Sequence, residues 1–174
     1  MVRRSKEPLT AATTNYIFPY LKNEGFIKAS PRFFVREKNN FFQQIRIDAN
    51  GFSGKKSTVI VCCVNPTMDE SLVGYTIGYR LDDSERWDMS SHEIADSNAQ
   101  DIIKKLVQFG IPDLNKWSCF ENYIALYEKY ALYDDQELLQ GSLKKIRRWS
   151  LGELTESEKQ QIKINRNSLK LITP

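Results

Sequence analysis

The side chains of this 174-residue chain best suited to metal or nucleophilic chemistry are one histidine, His92, and three cysteines, Cys62, Cys63 and Cys119. Their spacing suits neither. A zinc site needs several ligands in short paired spacings, and a catalytic triad needs an imidazole oriented by a further group. His92 has no second imidazole to work with and reads as structural. Cys62 and Cys63 are adjacent in a strand, so their side chains point to opposite faces; they read as buried hydrophobes of a reducing compartment rather than as a disulfide framework. Asp82, Asp83, Glu85 and Asp88 form the densest acidic group, but a calcium loop requires glycine at its sixth position, where Trp87 or Asp88 falls. Gly51 to Lys56, GFSGKK, lacks the spacing of a phosphate loop and leads into a strand, not a helix. No catalytic residue, metal or cofactor is expected, and an enzyme remains an alternative without named residues.

Two patches suit binding. Phe34, Arg36, Phe42, Gln44 and Arg46 mix aromatic and arginine side chains of the kind enriched in interface hot spots, and are expected on the outer face of a sheet. Substituting Phe42 and Arg46 is then expected to weaken partner capture without lowering stability. The opposing expectation is that C-terminal helices cover this face, because Tyr123, Tyr127 and Tyr130 need a surface to bury against. The second patch is Lys144, Lys145, Arg147 and Arg148 beside Trp149, a candidate for nucleic acid. From Lys144 to Lys170 there are eight Lys/Arg against three acids, so the net charge of +3 hides a basic C-terminal stretch. A basic run on an amphipathic helix is also the ordinary composition of a solvated face.

The elements that must position these residues begin with strands. Phe41, Gln43, Ile45, Ile47 and Ala49 alternate with Phe42, Gln44, Arg46, Asp48 and Asn50, the period of a half-buried strand. Arg32 to Glu37 precedes it, and Lys38-Asn39-Asn40 supplies turn residues tolerant of a left-handed backbone, so a hairpin is expected. Thr58 to Val64 is apolar on both faces, as a central strand is. Val73 to Leu81 gives a fourth strand. The expected sheet is a four-stranded antiparallel meander, with Trp87 against its edge.

Helices surround it. Ala12, Tyr16, Ile17, Tyr20 and Leu21 keep helical spacing up to Gly25, where Leu21 and Phe26 form the apolar pair of a Schellman ending; Pro19 predicts a kink or a late start. A second helix runs from Ile94 through Leu106 and Val107 and is expected to close at Gly110-Ile111-Pro112. Ser118 with Glu121 predicts a capping box for a third, Asp134 with Glu137 starts a fourth that ends near Gly152, and Thr155 with Glu158 opens a last one. Three to four C-terminal helices are thus expected to pack on the sheet. Composition is that of a soluble globular domain, 41% hydrophobic and 27% charged, without a run long enough to span a bilayer. The basic start lacks the apolar core of a secretory signal, so a cytoplasmic location is expected.

Leu21 to Phe26, RFFVR at 32–36, FQQIRI at 42–47, the strand Val59 to Val64, the Trp87 loop and the segment Ile103 to Trp117 together resemble an uncharacterised bacterial family, the domain of unknown function numbered forty-three oh-four. The resemblance covers residues 9–117 and implies an α+β domain but no activity. It leaves 118–174 as a helical extension of a single domain spanning 1–174. Two expectations for function stand side by side: a non-catalytic protein-binding module of the adaptor or toxin-immunity kind, and a nucleic-acid-binding protein.

Overall fold

The computed structural model describes residues 7–50, 55–67, 77–81, 86–130 and 136–171, with backbone only at 50, 130 and 136–139. It is an α+β fold with six strands among the described residues, two more than the sequence predicts. They are β1 (Ile27–Ser30), β2 (Phe33–Lys38), β3 (Phe41–Asn50), β4 (Lys56–Val64), β5 (Ile77–Arg80) and β6 (Trp87–Asp88). All neighbours are antiparallel in the order β1-β2-β3-β4-β5, and β6 pairs with the start of β4. β1 escapes the sequence pattern because four residues, followed directly by Pro31, are too few to show alternation. Residues 73–76 of the predicted fourth strand, the 51–54 part of the glycine-rich loop and the acidic group 82–85 lie outside the described residues.

The β2–β3 turn is set by Asn39 and Asn40, both at positive φ (50° and 69°), the backbone that a two-residue hairpin loop demands. Lys38 consequently pairs with Phe41, and every pair up the hairpin joins an even-numbered residue to an odd one. That parity decides which side chains share a face. One face carries Phe34, Phe41, Ile45, Ile47, Val59, Val61 and Cys63 into the main core. The other carries Val35, Phe42, Cys62 and Val64 in a smaller cluster.

The first helix, α1, runs Pro8–Ala12, a wide π turn at Thr13–Ile17, and Phe18–Asn23. It ends as its sequence predicts. Gly25 sits at φ 85°, its N–H reaches the Lys22 carbonyl at 3.0 Å, and the Phe26 N–H reaches that of Leu21 at 2.9 Å, with both apolar side chains buried. The next helix, α2, repeats the α1 design with His92–Lys105, a π turn at Leu106–Gly110, and Ile111–Trp117. Pro112 therefore does not close it. In both helices the residue before proline donates to the carbonyl five positions back, Phe18 to Thr13 and Ile111 to Leu106. The widened turn takes up the proline without the clash that an α-helical carbonyl four residues back would make.

The remaining helices are α3 (Phe120–Tyr130), α4 (Gln136–Ser150) and α5 (Glu156–Ser168). Phe41 fastens two of them to the hairpin. Its ring lies 4.8 Å from Tyr123, 5.2 Å from Phe120 and 5.1 Å from Trp149. The tyrosine stripe thus buries Tyr123 and Tyr127 against the main core, not against the outer face. Thr155 and Glu158 form the predicted capping box, whereas the Asp134 start signal lies outside the described residues. No described helix is long and apolar enough to cross a membrane.

Candidate functional site

The five residues of the predicted sheet patch do not share a face. Phe34 pairs with Ile45 and Arg36 with Gln43, so both point toward the helices; Phe33 pairs with Arg46, Val35 with Gln44 and Glu37 with Phe42 on the outer side. Phe34 is fully buried and stacks on Phe18 at 5.6 Å. The error in the sequence reading is one of phase. Alternation within each strand is as predicted, but a two-residue loop joins even to odd positions and so sets Phe34 and Phe42 on opposite sides.

Arg36 is held entirely by its own protein. Its Nε donates to Gln43 Oε1 at 2.6 Å, one terminal nitrogen donates to the Glu24 carbonyl, and the other donates to Asn115 Oδ1 at 2.8 Å. The guanidinium lies 4.4 Å from the centre of the Phe26 ring, with the Glu24 carboxylate 3.7 Å away. Burial lowers its pKa, partly offset by Glu24 and Tyr20. Gln43 spends its amide on the Leu114 carbonyl (2.9 Å) and on Ser118 Oγ (2.6 Å), and Ser118 in turn donates to Leu114 at 2.8 Å. Ser118 is therefore committed to the core, and α3 begins at Phe120. This network ties the end of α1, the hairpin and the end of α2 together. The sequence held one sign of it: a glutamine on an apolar strand face must find buried partners.

The chain's own C-terminal segment covers the outer face around Val35, Phe42, Cys62 and Val64, with Phe33 at the edge of that cluster. Leu169 and Leu171 pack on Val35, Phe42, Cys62 and Val64. Arg166 makes a two-pronged pair with Glu37 (Nε to Oε2 2.9 Å, Nη2 to Oε1 2.5 Å), Asn165 donates to the Pro66 carbonyl at 2.7 Å, and Lys170 reaches the Ala29 carbonyl at 3.1 Å. Phe42 is 1% exposed and Gln44 1%, so neither is available to a partner. The expectation that Phe42 could be replaced without loss of stability is corrected accordingly. Burial pushes the Cys62 thiol up to about 12, against the opposing charge of Arg46, and raises Cys63 as well; neither thiol is ionised near neutrality.

What the segment leaves uncovered is organised by Arg46. Its guanidinium lies 4.5 Å from the centre of the Phe33 ring, and it lines an open cavity of about 350 Å³ with Ser30, Arg32, Phe33, Ile47, Asp48 and Ala49. Arg46 Nε and Arg32 Nη1 are shielded from solvent and have no hydrogen-bond partner among the described residues. Arg32 also has the Glu7 carboxylate at 3.5 Å. Across the sheet the same face continues through Ile60 to the exposed Arg80. Phe33 and Arg32 were not among the predicted site residues; the hairpin parity would have selected Phe33.

The second predicted patch lies on α4, with Leu143, Ile146 and Trp149 buried beneath it. Lys144 and Lys145 are exposed. Arg147 pairs with Glu128 at 2.7 Å and Arg148 with Glu158 at 2.5 Å, so two of its four cations are already neutralised within the fold. Among the described residues no three His, Cys, Asp or Glu side chains gather as a metal site would require. Comparison of the chain with protein-family models, with curated proteins and with solved structures finds no match.

Proposed function

We propose that this chain is a non-catalytic protein-binding module, of the adaptor or toxin-immunity kind, whose contact surface is the part of the outer sheet face around Phe33 and Arg46. One observation carries this reading. Arg46 is stacked on Phe33 beside an open cavity and has no acceptor for its Nε among the described residues, while Arg36, equally well stacked, has all three of its nitrogens engaged. Aromatic and arginine side chains held rigid by the fold are the usual anchors of protein interfaces, because little further freedom is lost when a partner docks.

The test is affinity capture from the native host with wild-type, Phe33→Ala and Arg46→Ala baits side by side. A polypeptide retained by the wild type and lost by both variants, at unchanged thermal midpoints, is the expected result. Retention and midpoint falling together, or nucleic acid as the sole companion, would overturn the reading.

A further inference from the structure

We infer that residues 165–171 form a releasable strap over the outer sheet face, and that a partner's polypeptide segment bearing an arginine and two leucines at the same spacing docks in its place; this rests on the protein-binding reading above. The strap is held largely by polar contacts. Of the 13 residues of α5, those buried are Glu158, Ile162 and Asn165, a single apolar side chain among them, while Ile164 is 49% exposed. Glu158 pairs with Arg148 on α4, so the first turn of α5 is anchored. At the far end the grip on the sheet consists of the partly exposed ion pair of Arg166 with Glu37, the bonds from Asn165 to the Pro66 carbonyl and from Lys170 to the Ala29 carbonyl, and the docking of Leu169 and Leu171.

Lys170 marks where the strap bends. It sits at φ 59°, a left-handed backbone that favours glycine, and the turn it makes, with the Leu171 N–H on the Arg166 carbonyl at 2.8 Å, brings Leu171 onto the sheet. A side chain in that conformation persists only where its surroundings fix it, and the penalty is relieved when the strap lets go.

What the strap covers dictates what replaces it. The face beneath joins an apolar floor of Val35, Phe42, Cys62 and Val64 to one carboxylate, Glu37, which takes both prongs of Arg166. Two-pronged pairing selects arginine over lysine, and the floor takes leucines three and five residues further on. Phe33 packs at the edge of the same floor, so a segment lying there continues onto the surface around Phe33 and Arg46. A tethered strap competes at an effective concentration on the order of millimolar, and those added contacts are what let a partner displace it.

Cys62 and Cys63 supply the readout. Both thiols are buried and adjacent in β4, but Cys62 belongs to the floor beneath the strap and Cys63 to the main core. Release of the strap bares the first alone, whereas global unfolding bares both. In the full chain under native conditions, N-ethylmaleimide should therefore label Cys62 at least tenfold faster than Cys63, as resolved by tandem mass spectrometry, and Arg166→Ala should speed the labelling of Cys62 at least fivefold. A fluorescent peptide with the sequence of residues 160–171 should bind the Arg166→Ala protein at least fivefold tighter than the wild type, because the weakened strap competes less; the same peptide carrying Leu169→Ala and Leu171→Ala should not bind. Equal labelling of the two thiols, a peptide that binds neither protein or both alike, or binding that survives loss of the leucines would each overturn the inference. The two proposals fail separately. Unequal labelling and peptide binding with no captured polypeptide sink the module reading alone, and capture that depends on Phe33 and Arg46 with equally labelled thiols sinks the strap alone.

Discussion

Arg36 and Arg46 sit ten residues apart on adjacent strands, each with its guanidinium about 4.5 Å from a phenylalanine ring, yet the fold uses them in opposite ways. Arg36 faces the helices and joins three elements through Gln43, Glu24 and Asn115. Arg46 faces outward, stacks on Phe33, has no acceptor for its Nε among the described residues, and borders a cavity. Stacking fixes the position of an arginine; what its nitrogens then meet decides whether it holds the protein together or is held ready for something else.

Substitution should separate the pair sharply. Arg36→Ala strands the fully buried Gln43 Oε1, takes a donor from the part-buried Glu24 carbonyl and leaves Asn115 Oδ1 to Lys38 alone, and is expected to cost about 3 kcal/mol, which for a chain of this size lowers the thermal midpoint by roughly 10 °C. Arg36→Lys should recover less than half of that in a denaturant melt, since one ammonium group does not span all three acceptors. A loss below about 1 kcal/mol for the alanine variant would erase the contrast.

Phe42→Ala probes the same outer face where the C-terminal segment covers it. Loss of a fully buried ring is expected to cost about 3 kcal/mol and to raise amide exchange across Glu156–Ser168 before the rest of the molecule. If those amides stay as protected as β3, the segment is not held by this cluster.

A smaller effect is tied to acid. Burial pushes the Glu158 carboxyl up, but hydrogen bonds from Thr155 and the charges of Arg148 and Lys145 outweigh it and leave the pKa lowered from 4.5. The carboxylate therefore stabilises the fold fully above pH 4.5, and that contribution disappears as pH falls through its depressed folded value. Glu158→Gln keeps a capping side chain but loses the charge that pairs with Arg148, so it should cost about 1 kcal/mol at neutral pH, and the gap to the wild type should narrow as pH falls below 4.5 in paired urea melts. A gap independent of pH would assign the effect to packing instead.

Least of all in stability should be Arg46→Ala, within about 0.5 kcal/mol, because its Nε has no acceptor among the described residues to strand. A loss as large as that of Arg36→Ala would make the two arginines alike and remove the reason to place a site at the second.

Much of this was legible in the sequence. The α+β class, the Asn39-Asn40 hairpin, the Gly25 ending and the Thr155 to Glu158 cap follow from local chemistry that tertiary contacts did not override. Of the proposed surface the sequence pointed to Arg46, but Phe34 and Phe42 were set on one face because alternation within strands was read without the parity imposed by the turn. Gln43 and Ser118 went unrecognised as a network because their partners lie more than 70 residues apart. Pro112 was read as a stop because nothing in its neighbours spells out a hydrogen bond to the fifth residue back.

That wide turn leaves its trace in the backbone, not in the spacing of buried side chains. Buried Thr13 and Ile17, like Leu106 and Gly110, stand four apart, and the hydrogen bond that closes each turn spans five, from Phe18 to Thr13 and from Ile111 to Leu106. In each helix the surplus residue and the proline after it form a matched pair. Removing one residue from 13–17 or 106–110 would swing every later side chain by about a quarter of a turn and drive the ring into the backbone behind it. Shortening either helix while keeping its proline is therefore a lesion in the core, whereas a shortened helix that also loses the proline regains an ordinary α-helical path.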